Sequence, residues 1–310
     1  MMEMDRENLQ TKEKTGHKTC VIDVGGGLRG VYASGVLDRL IDEQIEADLC
    51  IGVSAGAANL ANYLGKQKGR TYTYYHGYPY RKEYLSVHNL LKKGSLFDMD
   101  YIYTDLSSLD GEYPLNNMRL QQSRSELITV ATNALTGRPV YFDKSWMSQD
   151  HYDIIKATCA VPYICHPWKV RGIPFCDGTV SDPIPVEKAL ELGADRIVIL
   201  FPRKPEVIEE NKTKDLGMSM VSKISYGRRH PAVVEALKRR RDVNNRSFEL
   251  AMKLQEEGKV LFICPETLYD VESLGASRDQ IDRLYEEGYK DGAKAVAFLS
   301  GRDADESAGQ

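Results

Sequence analysis

Residues 20–37, CVIDVGGGLRGVYASGVL, read as a buried strand that runs into a glycine loop and then a helix. Thr19–Val24 is a β-branched apolar run of the kind that fills the middle of a sheet. From Gly30 the apolar residues Val31, Val36, Leu37, Leu40 and Ile41 recur at helical spacing, which predicts a helix to about Gln44. DLCIGV (48–53) is a second buried strand, and SAGAANLANYL (54–64) follows at once as a helix of small residues. The order β-loop-α-β-turn-α opens a parallel α/β sheet. Backbone N–H groups of a glycine loop converge on a negative oxygen. That oxygen belongs either to a bound phosphate or to an oxyanion that forms during a reaction.

The phosphate reading fails on its second strand. Gly25, Gly27 and Gly30 satisfy GxGxxG, but a dinucleotide site also wants an acid at the end of the next strand. Asp48 is the nearest acid and sits at the wrong end of that strand, and no Lys-Ser or Lys-Thr follows Gly30 to make a P-loop. The second strand ends instead in Gly52-x-Ser54-x-Gly56, a nucleophile elbow. Loops after neighbouring parallel strands emerge at one edge of the sheet, so the amides of Gly25–Gly27 are expected beside the Ser54 hydroxyl.

A nucleophilic serine needs a base. His76, His88, His151, His166 and His230 are available, but none stands in a post-strand loop late in the chain, where an α/β-hydrolase places its histidine. Only one strand-helix unit precedes the Ser54 strand, fewer than that fold has. The other candidate is Asp177, which ends a short apolar strand in FCDGTVSDPIP and is followed by Gly178. A carboxylate is a weak base unless burial raises its pKa.

The rest of the chain is read more coarsely. Residues 1–17 are polar and expected to be flexible, as is the tail at 301–310. Residues 70–118 are rich in tyrosine and read as a cap or insertion over one end of the sheet, ELITVAT (126–132) and PVYF (139–142) as a hairpin through NALTGR. A polar linker is expected over 204–228 and a mainly helical subdomain over 229–300, interrupted by the strand-like KVLFICP (259–265). A net charge of −4 argues against nucleic acid as a partner, and the basic run Lys238–Arg241 reads as a solvated helix face. The six cysteines show no metal-type spacing, and with no apolar leader the chain is expected to be cytoplasmic. No run is long enough to span a bilayer, which leaves peripheral contact with lipid open.

Together these motifs resemble the patatin-like phospholipases. The family's glycine-rich oxyanion loop with its basic residue is matched by Gly25-Gly26-Gly27-Leu28-Arg29-Gly30, its GxSxG serine by Ser54, its A-[ST]-x-A-x-P segment by ATCAVP (157–162), and its Asp-Gly pair by Asp177-Gly178. Thr179 stands where the family usually carries Gly or Ala. The resemblance implies a three-layer α/β/α fold with a catalytic domain over 18–203. It also implies a Ser54–Asp177 dyad, an oxyanion hole from Gly25–Gly27 helped by Arg29, and an acyl-enzyme route that uses no metal or cofactor. The substrate it implies is a lipid or acyl ester. An esterase or thioesterase for short soluble acyl groups, or a lipid-binding scaffold without turnover, is the alternative. Oligomeric state, head group and acyl chain are not legible here.

Overall fold

The computed structural model describes residues 16–207 and 226–301. In chain order its strands are β1 (Thr19–Asp23), β2 (Leu49–Val53), β3 (Glu126–Asn133), β4 (Pro139–Asp143), β5 (Trp168–Val170), β6 (Ile173–Asp177), β7 (Arg196–Leu200) and β8 (Val260–Ile263). They form one sheet in the order β5-β6-β3-β2-β1-β7-β8, with β4 alongside β3. The central strands β3, β2, β1, β7 and β8 run parallel. Every residue of β1 and β2 is buried, because helices cover both faces. Alternate side chains enter separate cores. Val21, Cys50 and Val198 face α1 (Val31–Asp42) and α2 (Ala55–Leu64), whereas Ile22, Ile51 and Ile199 face the opposite layer. That layer includes the helices Val186–Glu191 and Pro231–Glu256. The three-layer α/β/α class expected from the sequence is the one observed.

One detail of the sheet positions the site. A strand has two edges, and β3 is shared among three partners. β2 holds one edge up to Val130, where it faces Val53. β4, folded back through a turn with Gly137 at φ 67°, holds the other edge over Ile128–Thr132. β6 therefore enters antiparallel on the edge that β2 has left, and places Asp177 opposite Ala131. The chain leaves the sheet at Ser54 where β6 ends at Asp177.

The segment expected as a separate C-terminal subdomain over 229–300 is mainly helical but does not stand apart. β8 adds to β7 as the edge strand, with Leu200 opposite Ile263. The last helix, Arg278–Ser300, lies against α1 almost backbone to backbone. A Cβ on Gly35 would come within 2.3 Å of Tyr285 O, and one on Gly288 within 2.0 Å of Tyr32 O. The physical reason is burial: β7 is apolar on both faces, and α1 is buried around most of its circumference. Both need cover that residues up to 203 do not supply.

The tyrosine-rich stretch 70–118 forms α3 (Arg70–Gly77), the helix Val87–Lys93 and a π-helical turn, Tyr101–Asp105. Its aromatics mostly turn inward, with Tyr75 and Tyr78 buried and the Tyr75 hydroxyl donating to Asn59 Oδ1 at 3.0 Å. Most of the segments expected to be flexible at 1–17 and 301–310, and of the linker at 204–228, lie outside the described residues.

Candidate active site

Ser54 occupies φ 55°, ψ −134°, a left-handed conformation that a residue with a Cβ rarely adopts and that costs about 1–3 kcal/mol. The elbow forces it. A Cβ on Gly52 would lie 2.4 Å from Ala57 Cα, and one on Gly56 would lie 2.2 Å from Asp23 O, so neither position accepts a side chain. α2 begins at the next residue, with the positive end of its dipole beneath the serine. Thr158 fixes the turn from the other side. Its Oγ1 accepts the Ser54 N–H at 2.8 Å and donates to Val130 O at 2.5 Å, which ties the elbow to β3. Sequence reasoning assigned Thr158 no task, although it is the hydroxyl residue of the ATCAVP segment.

Asp177 is 1% exposed. Three bonds hold it: its N–H donates to Ala160 O at 3.0 Å, its carbonyl accepts from Thr132 Oγ1 at 2.8 Å, and Oδ1 accepts from Thr179 N–H at 2.8 Å. The brace at Oδ1 comes from the backbone of Thr179, so the departure from the family pattern at this position leaves it in place. Gly178 is needed because a Cβ there would strike Val130 O at 2.2 Å. Burial pushes the Asp177 carboxyl above its ordinary range, against the lowering effects of the Ser54 hydroxyl and of Thr179. Oδ2 is buried and has no hydrogen bond of normal geometry, so it remains an open acceptor.

Gly25, Gly26 and Gly27 all have positive φ (71°, 134° and 61°), and three such residues in succession turn their amides into one concavity. The Gly25 N–H, expected in the oxyanion hole, is committed elsewhere: it donates to Asp23 Oδ1 at 2.9 Å. The amides of Gly26 and Gly27 are the two left for an oxyanion. Gly25 acts through its lack of a side chain, since a Cβ there would meet Val53 O at 2.5 Å and Ser54 Cβ at 3.1 Å. Asp23 is fully buried, accepts from Asn59 Nδ2 at 2.8 Å, and is pushed up to about 6 by desolvation. Arg29, expected to assist the oxyanion, donates through Nη2 to Ser273 Oγ at 2.8 Å. Ser273 also receives the Leu28 N–H at its carbonyl, 3.0 Å away, so the glycine loop rests on the C-terminal part of the chain.

Ser54 lies where two chambers meet. One is largely apolar and runs under the tyrosine-rich stretch between Leu28, Met99, Ile102 and Leu115. The other is mixed, with Asp177, Arg29, Arg203, Arg240 and Asn244 set among apolar residues such as Phe97 and Leu274. Gly27, Phe97, Val161 and Ser273 line both. Among the described residues that line either chamber there is no histidine.

An uncharacterized protein of Escherichia coli K12, YjjU, is 31% identical over 181 residues, which make up 57% of this chain and 49% of YjjU. The chain therefore spans about half the length of that curated relative. The crystal structure of VipD from Legionella pneumophila aligns with 92% of this chain and 67% of its own, at 13% identity and a TM-score of 0.48. Residues 230–300 match a domain of unknown function (DUF6363). Residues 24–190, more than half of the chain and including the glycine loop, Ser54 and Asp177, match the family described as patatin-like phospholipase, and the chain belongs to that family.

Proposed function

We propose that the protein hydrolyses carboxylic esters of lipids, as a phospholipase A or lysophospholipase does, through a Ser54–Asp177 dyad. The observation that carries this reading is a serine held at φ 55° beside a buried carboxylate whose Oδ2 is unpaired. Ser54 Oγ forms a bond to the ester carbonyl carbon as its proton passes to Asp177 Oδ2. The carbonyl oxygen becomes an oxyanion and accepts hydrogen bonds from the Gly26 and Gly27 amides. Collapse breaks the bond to the alcohol, which leaves with the proton from Asp177. Water then attacks the acyl-enzyme, gives a proton to Asp177 and releases the fatty acid, and that proton returns to Ser54. A carboxylate with a raised pKa is a stronger base once ionised, which is what this cycle asks of Asp177.

The apolar chamber favours a long acyl chain over a short soluble one, and a chain-length profile tests that preference. Among the described residues no helix is long and apolar enough to cross a membrane. Access to lipid at a surface is part of this reading, and the helix Val87–Lys93, with Leu91 81% exposed beside Lys92 and Lys93, is the described segment best suited to it. The direct test is labelling with a fluorophosphonate and location of the adduct by peptide mass. Labelling at Ser54, with ester hydrolysis lost in both Ser54→Ala and Asp177→Asn, is expected. Full activity in Ser54→Ala would sink the assignment, and most of the activity surviving in Asp177→Asn would move the base elsewhere.

A further inference from the structure

No motif in the sequence includes Arg203 or Arg240, yet both line the chamber that holds Asp177. Arg203 follows β7 by three residues, and its Nη2 donates to Asn244 Oδ1 at 3.0 Å. Asn244 is 2% exposed and lies one turn beyond Arg240 on the helix Pro231–Glu256, so it fixes one guanidinium from behind and shares a face with the other. Arg29 approaches from the glycine loop, its Nε buried and without a partner. Burial, with Arg240 and Arg29 nearby, lowers Arg203 to about 10 against the opposing effect of Glu206, and Glu272 acts likewise on Arg29. Among the described lining residues of this chamber, Asp177 is the only carboxylate. All three guanidiniums are half-buried and open to the chamber, and guanidinium forks suit phosphate oxygens.

We propose that Arg203 and Arg240, set by Asn244, form the subsite for an anionic phosphate on the head group of a lipid substrate. The proposal rests on the reading of Ser54 as the nucleophile. The two chambers meet at Ser54, so a molecule lying across both places its acyl chain under the tyrosines, its ester at the serine and its phosphate at the arginines. This continuity favours a lipid over free phosphate. A head group that adds a cation to its phosphate would bring that cation among three guanidiniums, so a phosphate without a compensating cation is the better fit. The region matched only as a domain of unknown function thereby acquires a task, because Arg240 and Asn244 belong to it.

The test compares kcat/KM for phosphatidic acid and for diacylglycerol with the same acyl chains, in the same mixed micelles. The wild-type protein, Arg240→Gln, Arg203→Gln and Arg240→Lys are assayed side by side, with fluorophosphonate labelling of Ser54 as the control for an intact site. The wild type is expected to prefer phosphatidic acid. The ratio of the two values should fall roughly tenfold in each glutamine variant, the size of one lost charge-assisted hydrogen bond, and recover in part in Arg240→Lys. An unchanged ratio in both glutamine variants that still label would overturn the subsite and leave the dyad standing. Absence of labelling in the wild type would refute the dyad instead. Arg240-dependent binding to vesicles containing phosphatidic acid, over phosphatidylcholine alone, would then still support the phosphate site. Inhibition by inorganic phosphate with no preference between the two lipids would mean a site for a free anion, and would overturn the head-group role.

Discussion

Replacement of Asp23 by Asn tests the link between the buried polar core and the oxyanion loop. Asp23 accepts the Gly25 N–H and the Asn59 amide, and burial moves its carboxyl from 3.8 to about 6. The folded protein therefore holds this proton more tightly than the unfolded chain does. The stability so gained is complete below about 3.8 and is lost as pH rises through about 6. At about 1.36 kcal/mol per pKa unit the loss totals about 3 kcal/mol, and roughly half of it falls between about pH 5 and pH 8. Asparagine does not titrate. Its Oδ1 can still accept the Gly25 N–H, but its amide would face that of Asn59, an offset of about 1 kcal/mol that does not depend on pH. Urea unfolding across that range should show the stability of Asp23→Asn rising relative to wild type by about 1 kcal/mol. Ester hydrolysis should fall, because the Gly25 anchor changes from a charged to a neutral acceptor. Stability curves that stay parallel across the range would refute the argument, since they would mean that Asp23 titrates alike in both states.

Three further perturbations follow from the site. Thr158→Val leaves the Ser54 N–H and Val130 O buried without partners, which should cost about 2 kcal/mol or more in urea unfolding and slow fluorophosphonate labelling, whereas Thr158→Ser should keep both. The ionised form of Asp177 is the base, so kcat/KM should fall as pH is lowered through a value above 3.8. By the same sign, Asp177→Asn should be inactive yet melt higher than wild type at neutral pH, and an equal or lower melting temperature would count against a raised pKa. Gly27→Ala puts a Cβ 2.2 Å from Ser273 O at φ 61°, which should cost about 1–3 kcal/mol and displace the oxyanion amides, as read by the rate of Ser54 labelling.

The sequence exposed the parts of this site that are local. Glycine spacing, apolar runs and the strand-to-helix change at Ser54 act over a few residues, and they point to the elbow and the glycine loop directly. The approach of Asp177 is not local. It depends on β4 and β6 dividing the edges of β3, an outcome of sheet pairing that no stretch near residue 177 encodes, so the residues alone offered Asp177 as a candidate base and the family resemblance paired it with Ser54. The commitment of the Gly25 amide was hidden because Asp23 sits within an apolar strand and gives no sign of its side chain's direction. Arg240 was concealed by composition. Lys238 and Arg239 do face solvent, but Arg240 falls on the inward stripe that runs through Val233, Ala236, Asn244, Phe248 and Ala251. Counting by helical spacing from those apolar positions, rather than reading the basic run as one face, would have placed Arg240 inside.

The dependence of the glycine loop on the C-terminal part carries a consequence for any attempt to isolate the catalytic half. Residues 18–203 contain every catalytic motif, and by motif alone they form a complete enzyme. Structurally they do not. Without β8, β7 becomes an edge strand of buried apolar residues with one row of backbone groups unpaired, a template for aggregation. Without the helix Arg278–Ser300, Ile281, Leu284, Ala295 and Leu299 no longer cover α1, and each lost large aliphatic side chain removes about 1.5–3 kcal/mol of burial, a sum comparable to the whole stability of a domain. The loop itself loses Ser273, which packs on Gly27 and receives the Leu28 amide and the Arg29 guanidinium. Expressed alone, residues 18–203 should be insoluble or unfold without a cooperative transition, and should not label at Ser54. A fragment that folds cooperatively and labels at the wild-type rate would show that the C-terminal residues are dispensable to the site. The proposed part of Arg240 and Asn244 in substrate choice would then be separable from the chemistry at Ser54.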